Sequence, residues 1–202
     1  MSEVNIPQAK RTRLSPEDRR IQLLESAKAL ILSKGLSSFT MEGLAREAGV
    51  SQPLVYKYFD TRLTLLRELL QRESSQFDSQ LREQVSKAKN YDDLLRLFVS
   101  ANFVQFSSSN IVCVLREQPD VFSVIAENDR RQHRATAKFL VKTLADEFAL
   151  TRQQAEQSVV LASGASQTAA AHYNRYGGDR DAMIANTVKF ISSGIRALSN
   201  SE

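Results

Sequence analysis

Apolar residues recur along this chain at intervals of three and four, the spacing that places side chains on one face of an α-helix. One such stripe near the start consists of Ile21, Leu24, Ala27 and Ile31. Residues 15–18, Ser-Pro-Glu-Asp, precede it and supply a capping serine, a proline that fits a first turn and two acids that favour the positive end of a helix. We therefore expect a first helix that begins after Ser15 and ends at Gly35.

Two short helices are predicted next, followed by a longer one. Thr40 caps a helix that runs through Ala48, and Gly49 supplies a sharp turn after it. Ser51 caps a third helix, and a fourth begins near Asp60. The apolar stripe of the fourth helix consists of Leu63, Leu66, Leu70, Phe77 and Leu81.

The rest of the chain is also predicted to be helical. We expect helices at about 91–105, 109–117, 119–148, 151–176 and 181–198, with a capping box at 151–154 and a stop at the glycine pair 177–178. This makes about nine helices, with no convincing strand and no internal repeat. The predicted fold is all-α. It has a flexible basic arm (1–14), a three-helix domain (15–62) and a larger helical domain for regulation and dimerisation (63–202).

The two short helices joined at Gly49 form a helix-turn-helix, a unit that lets its second helix enter a DNA major groove while the first lies against the backbone. The exposed face of residues 51–58 suits that role. Gln52 can pair with base edges, and Pro53 and Leu54 can pack on a thymine methyl group. Three further side chains can reach phosphates: Tyr56, Lys57 and Tyr58. A glycine turn between amphipathic helices also occurs in proteins that do not bind DNA.

Residues 39–70 read FTMEGLAREAGVSQPLVYKYFDTRLTLLRELL, and this segment closely resembles the TetR family of transcriptional regulators. The shared pattern has a threonine before the second helix, an Ala-x-x-x-Gly-Val-Ser turn, a Tyr-x-Tyr-Phe ending to the third helix and a basic residue soon afterwards. The matching positions are Thr40, Ala45, Gly49-Val50-Ser51, Tyr56-Lys57-Tyr58-Phe59 and Arg62. The strong resemblance covers residues 15–72, and beyond them only the helical layout is similar.

The resemblance assigns roles to these residues. It implies that Thr40, Tyr58 and Arg62 hold phosphates. It also implies that four side chains face bases: Gln52, Pro53, Leu54 and Tyr56. Ser51 belongs to the same predicted DNA-binding face. This chain departs from the family at Arg62, where lysine is usual, and at Leu63, where an acid is common.

A basic segment precedes the first helix. Residues 10–20, KRTRLSPEDRR, hold five basic and two acidic side chains. Arg11 and Arg13, together with Lys10, are candidates for an arm that enters the minor groove or follows the phosphates. The alternative is a solvated tail that only aids solubility.

A single helix-turn-helix makes few contacts, so such proteins usually bind a palindrome as dimers. The last helix carries apolar residues at a four-three-four-three spacing, and the helix before it carries small residues that permit close approach. These stripes predict a homodimer interface. The alternative is that both stripes pack inside one chain. The predicted interface residues are Val159, Ala162, Ser166, Ala169, Tyr173, Ile184, Val188, Ile191, Ile195 and Leu198.

The middle helices have polar residues within apolar stripes. Asn102 follows Leu95 and Phe98, and Asn128 and Gln132 follow Val121 and Ile125. Buried polar groups need partners, which a small-molecule effector in a pocket, another side chain, water or a second subunit can supply. The candidate pocket residues are Asn102, Phe103, Phe106, Arg116, Phe122, Asn128, Gln132, His133 and His172.

Composition narrows the function classes. The net charge of +4 is mild, and the single cysteine forms no internal disulfide and fits a reducing cytoplasm. We expect a cytoplasmic protein because neither a signal-peptide core nor a membrane-length apolar run is present. Two histidines and one cysteine give no metal-ligand spacing and no nucleophile–base pair, so we expect no enzyme, cofactor or metal.

The interpretation is therefore a regulator that binds a palindromic operator as a homodimer, most simply a repressor released by a small-molecule effector. A regulator without an effector is the rival interpretation. The sequence leaves open whether the protein represses or activates transcription.

Overall fold

The computed structural model of the chain describes residues 14–105 and 110–199. The chain divides into two compact units, Met1–Arg62 and Leu63–Glu202. The described residues form ten α-helices and no strand. The predicted all-α fold is confirmed, with one helix more than expected. No helix in these residues is both long enough and apolar enough to span a membrane.

Between residues 14 and 62, the first unit contains three α-helices and one short 3-10 turn. These are α1 (Pro16–Lys34), the 3-10 turn (Leu36–Ser38), α2 (Met41–Glu47) and α3 (Gln52–Tyr58). Two of the three predicted side-chain caps are present: the Ser15 hydroxyl accepts from the Asp18 amide at 3.0 Å, and the Thr40 hydroxyl accepts from the Gly43 amide at 3.0 Å. Each bond satisfies an amide that the first turn of a helix leaves without a partner. Ser51 precedes α3 as predicted, but its side chain makes no capping bond.

The core of the first unit is built from one face of α1 and the inner faces of α2 and α3. Ile21 was expected on the core face but is 39% exposed, because the buried face of α1 is rotated toward Leu23 and Leu30. The buried apolar side chains of this unit are Leu23, Leu24, Ala27, Leu30, Ile31, Phe39, Met41, Leu44, Ala45, Val55 and Phe59.

The other helices belong to the second unit, apart from the first residue of α4. They are α4 (Arg62–Lys87), α5 (Tyr91–Gln105), α6 (Ile111–Arg116), α7 (Pro119–Phe122), α8 (Ala126–Phe148), α9 (Arg152–Tyr176) and α10 (Arg180–Ser199). The capping box before α9 is confirmed, since the Thr151 and Gln154 side chains each bond the other's backbone amide. Gly177, at a φ of +73°, follows the last residue of α9.

One predicted helix, at 119–148, is two helices in the structure. The amides of Val124 and Ile125 bond to carbonyls three residues back, at 3.5 and 3.0 Å, so the α-helical hydrogen-bond ladder is interrupted there. The Ser123 hydroxyl donates to the Asp120 carbonyl at 2.9 Å within the same turn. Val121 and Ile125 are both buried and four residues apart, which is why the sequence pattern concealed the break.

The core of the second unit lies among α5, α8, α9 and α10. Tyr91 begins α5 and packs edge-on against Phe148 at the end of α8, with ring centroids 4.9 Å apart. The buried members of this core are Tyr91, Leu95, Val99, Phe103, Leu144, Leu150, Ala155, Val159, Ala162, Ala170, Ile184, Val188, Ile191 and Ile195. These helices bring together residues distant in sequence around one apolar interior.

This core contains most of the predicted dimer-interface residues. The apolar stripes of α9 and α10 pack against the interior of the chain. Four of the predicted interface residues nevertheless line the open groove between the two helices: Ala162, Ile191, Ile195 and Leu198. Val159, Ala162, Ser166, Ile184, Val188, Ile191 and Ile195 are all at most 9% exposed. Ala169 and Tyr173 pack partly buried against the same core, and Leu198 stays 38% exposed.

Candidate functional site

Helix α3 has one anchored face and one free face. Val55 and the capping residue Phe59 are fully buried and hold the helix in the first unit. Gln52, Pro53 and Tyr56 are exposed. Their spacing of one and three residues places them on a common side of the helix, which Val55 does not share. The arrangement leaves an amide, an apolar ring and a phenol available to a partner.

The turn before α3 requires glycine. Gly49 has a φ of +65°, a backbone conformation that is strained for residues with a side chain. A second glycine, Gly43, has a different requirement: a Cβ there would lie 3.0 Å from the Thr40 hydroxyl and 3.6 Å from Leu30. The short distance between α2 and its cap therefore depends on the missing side chain at Gly43.

Two hydroxyls lie at the N-terminal ends of α2 and α3. Thr40 is exposed, and because its oxygen accepts from the Gly43 amide, its own proton is free to be donated. Ser51 is exposed at the start of α3, and its side chain makes no capping bond. Lys57 is exposed and Leu54 half-buried on the same helix. These groups have the chemistry of phosphate and methyl contacts.

Tyr58 and Arg62 are held differently from the base-facing candidates. Tyr58 is half-buried, and its main-chain carbonyl accepts from Arg20 at 3.1 Å. Arg62 donates from Nε to the Phe39 carbonyl at 3.2 Å and from Nη2 to the Leu36 carbonyl at 3.0 Å. Two of its three nitrogens thus bond the main chain of the same unit. Arg11, Arg13 and Lys10 lie outside the described residues.

The second unit encloses a cavity of about 430 Å³. Five of the predicted pocket residues line it: Asn102, Arg116, Asn128, Gln132 and His133. The pattern of amides within apolar stripes thus pointed to real cavity walls. The amide of Asn102 is already engaged, because its nitrogen donates to the Phe98 carbonyl and to the Ser166 hydroxyl, each at 3.1 Å.

Three predicted pocket residues lie elsewhere. Phe103 is buried in the core, 5.9 Å from the Tyr173 ring. Phe122 packs under the Arg116 guanidinium at 5.6 Å and is not among the cavity-lining residues. His172 is exposed on α9, with its ring 4.7 Å from Tyr176. Phe106 lies outside the described residues.

The sequence reading missed the contribution of α4 to the cavity. Ser74, Phe77, Asp78 and Leu81 line it, as does Asp129 of α8. Phe77 and Leu81 had been placed on the apolar stripe of this helix, and Asp78 directly follows Phe77. A single acid beside an apolar stripe resembles a solvent-exposed residue until the packing of the helix is known.

One ion pair closes part of the cavity wall. Arg116 of α6 donates from Nη2 to one carboxylate oxygen of Asp129, and the His133 ring nitrogen Nδ1 lies 3.3 Å from the other. Asp129 is 16% exposed, so the pair is shielded from water. The negative charge of Asp129 therefore balances the positive charge of Arg116.

Helices α9 and α10 expose apolar side chains on the faces that point away from the core. Leu161 is 68% and Phe190 72% exposed, with Leu198 further along α10. A groove between the helices is lined by Leu161, Ala165, Phe190, Gly194 and Leu198. Large apolar side chains exposed in a contiguous patch mark an interaction surface.

The family profile described as bacterial regulatory proteins, tetR family, matches residues 23–69. The chain is 30% identical over 114 residues to the transcriptional regulator EthR of Mycobacterium tuberculosis, covering 55% of this chain and 53% of EthR. It thus spans about half the length of this curated relative.

Two longer matches extend into the second unit. The transcriptional activator FasR of Mycolicibacterium smegmatis is 24% identical over 187 residues, covering 91% of this chain and 85% of FasR. A crystal structure of a TetR-like transcriptional regulator from Rhodococcus sp. RHA1 superimposes with a TM-score of 0.65 at 20% identity, covering 91% of this chain and 98% of that one. That likeness extends the fold over both units.

Proposed function

We propose that this chain, whose residues 23–69 match the profile of the tetR family of bacterial regulatory proteins, is a sequence-specific, DNA-binding transcriptional regulator of that family. Residues 15–62 read DNA, with residues 1–14 as a basic arm, and residues 63–202 regulate and dimerise. The observation that carries the proposal is the exposed face of α3, anchored from behind by Val55 and Phe59.

The chemistry of that face fits a major groove. The Gln52 amide carries a donor and an acceptor that match the edge of adenine, and Pro53 and Leu54 offer apolar contact to a thymine methyl group. Lys57 supplies a charge for the phosphates. Tyr56 is placed for a base or a phosphate, one turn after Gln52.

Phosphate contacts position the helix over its site. The free protons of Thr40 and Ser51 and the hydroxyl of Tyr58 supply hydrogen bonds to phosphate oxygens. Arg62 keeps one nitrogen, Nη1, for the same purpose. Arg11 and Arg13 extend the contact along the backbone or into the minor groove.

A second copy of this chain is the partner for the apolar groove of α9 and α10. Leu161 and Phe190 supply the large side chains, and Ala165 and Gly194 leave room for close approach. Four helices, two from each chain, would then enclose apolar surface that one chain leaves in water. The symmetry of such a pair demands a palindromic operator.

The cavity of the second unit is the proposed effector site. It is lined by α4 residues, and α4 begins at Arg62, the last residue of the first unit. A small molecule changes DNA affinity only if it binds one arrangement of this helix better than another. Repressor action, with release by the effector, is the simplest form of the proposal. FasR is described as an activator, and a reporter gene behind the operator distinguishes the two signs.

Selection of bound duplexes from a random-sequence pool tests the proposal. We expect enrichment of an inverted repeat whose half-site centres lie about 10–10.5 base pairs apart, or a multiple of that spacing. Enrichment of a single half-site, without its inverted repeat, would contradict binding as a dimer. If no sequence is enriched after repeated rounds of selection, the proposal of sequence-specific DNA binding is wrong.

A further inference from the structure

The charges that line the cavity of the second unit do not balance. Its ionisable lining residues are two acids, Asp78 and Asp129, with Arg116 and His133 as the bases. Arg116 and Asp129 neutralise each other through their direct ion pair. The His133 side chain is 63% exposed, so water screens whatever charge it carries. Asp78 is the charge that remains.

Asp78 makes no direct contact with a base of the wall, although Arg116 and His133 act on its carboxyl group through space and oppose the rise in its pKa. Within residues 14–105 and 110–199, no side chain hydrogen-bonds to its carboxyl group or forms an ion pair with it. Burial raises the pKa of Asp78, and the exposed Arg82 one turn along α4 acts in the opposite direction. A half-buried carboxylate without a partner is costly, and a bound cation would remove that cost.

The other walls suit the body of an organic molecule. Phe77 and Phe98 contribute rings, and Leu81, Ile125 and Leu140 contribute aliphatic surface. Aromatic faces attract cations and pack against apolar groups alike. The amides of Gln105 and Gln132 add polar contacts at separate points of the lining.

We infer that this cavity binds an organic cation, an apolar body that carries a protonated amine, and that Asp78 receives the charge. The inference rests on the proposed function, since it names the chemical class of the effector. A carboxylate ligand, such as a fatty acid, would need a cation in the cavity that is not already paired. Arg116 has a buried Nε without a partner, but its charge is already balanced by the ion pair that Nη2 makes with Asp129.

Three probes with one carbon skeleton test the inference: 4-phenylbutan-1-amine, 4-phenylbutan-1-ol and 4-phenylbutanoate. Their affinities for the DNA-free protein are measured by isothermal titration calorimetry at about pH 7, where the amine is protonated. We expect the amine to bind at least about tenfold more tightly than the alcohol, the ratio that one charge-assisted hydrogen bond supplies. The carboxylate should bind most weakly.

A matched pair of variants locates the charge. Asp78→Asn should reduce the affinity for the amine to about that for the alcohol, while leaving the alcohol unchanged. Asp146→Asn, the same charge change at an exposed position of α8, should preserve the preference. Circular dichroism of both variants checks that the helices are intact.

Several results would overturn the inference. These are equal affinities for the three probes, no measurable binding of the amine, tighter binding of the carboxylate, or an unchanged preference in Asp78→Asn. The wild-type comparison needs no variant and stands even if Asp78→Asn unfolds. Because the titration uses no DNA, its outcome is separate from the selection experiment. A protein that selects no DNA but prefers the amine would fail as a regulator and still bind a cation.

Discussion

Arg62 donates from Nε to the main-chain carbonyl of Phe39, 3.2 Å away, and its guanidinium lies over the Phe39 ring at 5.7 Å. The same side chain reaches the Leu36 carbonyl. The resemblance to the TetR family implies that Arg62 holds a DNA phosphate, and the structure adds a second role. Arg62 fixes the segment between α1 and α2, and with it the cap residue Thr40.

Replacing Arg62 by alanine should therefore affect stability as well as DNA binding. We expect the free energy of unfolding to fall by about 1 kcal/mol, because two partly exposed hydrogen bonds from a charged donor are lost. Urea unfolding followed by circular dichroism measures the change. DNA affinity should fall on all sequences, with a reduced salt dependence.

Arg62→Lys separates the two tasks. Lysine keeps the charge but cannot bond two carbonyls with a planar fork. The Arg62→Lys variant should therefore be destabilised nearly as much as the Arg62→Ala variant. Its DNA binding should keep most of the wild-type salt dependence. If Arg62→Ala unfolds at the wild-type urea concentration, the bonds to Phe39 and Leu36 contribute nothing and only the phosphate contact remains.

Gln52→Ala should relax base preference. Loss of a bidentate contact costs about 1–3 kcal/mol on the selected site and little on random DNA. Fluorescence anisotropy with both duplexes measures the difference. The exposed Gln80 of α4 supplies a control, since Gln80→Ala makes the same change away from α3. Equal losses on both duplexes would mean that Gln52 does not read a base.

Phe190→Asp should convert the dimer to a monomer, because it places a charge in the apolar groove of α9 and α10. Sedimentation velocity should show the mass of one chain where the wild type shows two. Phe139→Asp is the control, an exposed phenylalanine on α8 that is 47% exposed. A dimer that survives Phe190→Asp would place the interface on another surface.

Asn102→Leu should destabilise the second unit. The Asn102 side-chain nitrogen donates to the hydroxyl of Ser166 at 3.1 Å, and Ser166 is fully buried. Leucine removes this donor and leaves the hydroxyl without it. We expect a cost of about 1–3 kcal/mol in the free energy of unfolding. The double variant Asn102→Leu with Ser166→Ala should recover part of it, since no orphaned polar group remains. Additive losses in urea unfolding would show that the two side chains are not coupled.

Local signals predicted the local structure well. Ser15, Thr40 and Thr151 each accept from an amide in the helix that they precede, because capping depends on residues a few positions apart. Gly49 has the positive φ that its turn required. Such features need no knowledge of the rest of the chain.

Tertiary packing was harder to predict. Ile184 and Ile191 form a regular stripe, but spacing does not tell whether the stripe meets a second copy or the chain's own α5 and α8. Exposed Phe190 lay between them and belongs to no apolar repeat. Asp78 was missed for the same reason, since its role depends on which side of α4 faces the cavity.

The ratio of two dissociation constants decides whether α3 reads DNA sequence. Purified protein is titrated with the duplex enriched by selection and with a scrambled duplex of the same composition, at a salt concentration of about 0.15 M. We predict that the enriched duplex binds at least about a thousandfold more tightly. A ratio near one would contradict sequence-specific recognition by this chain.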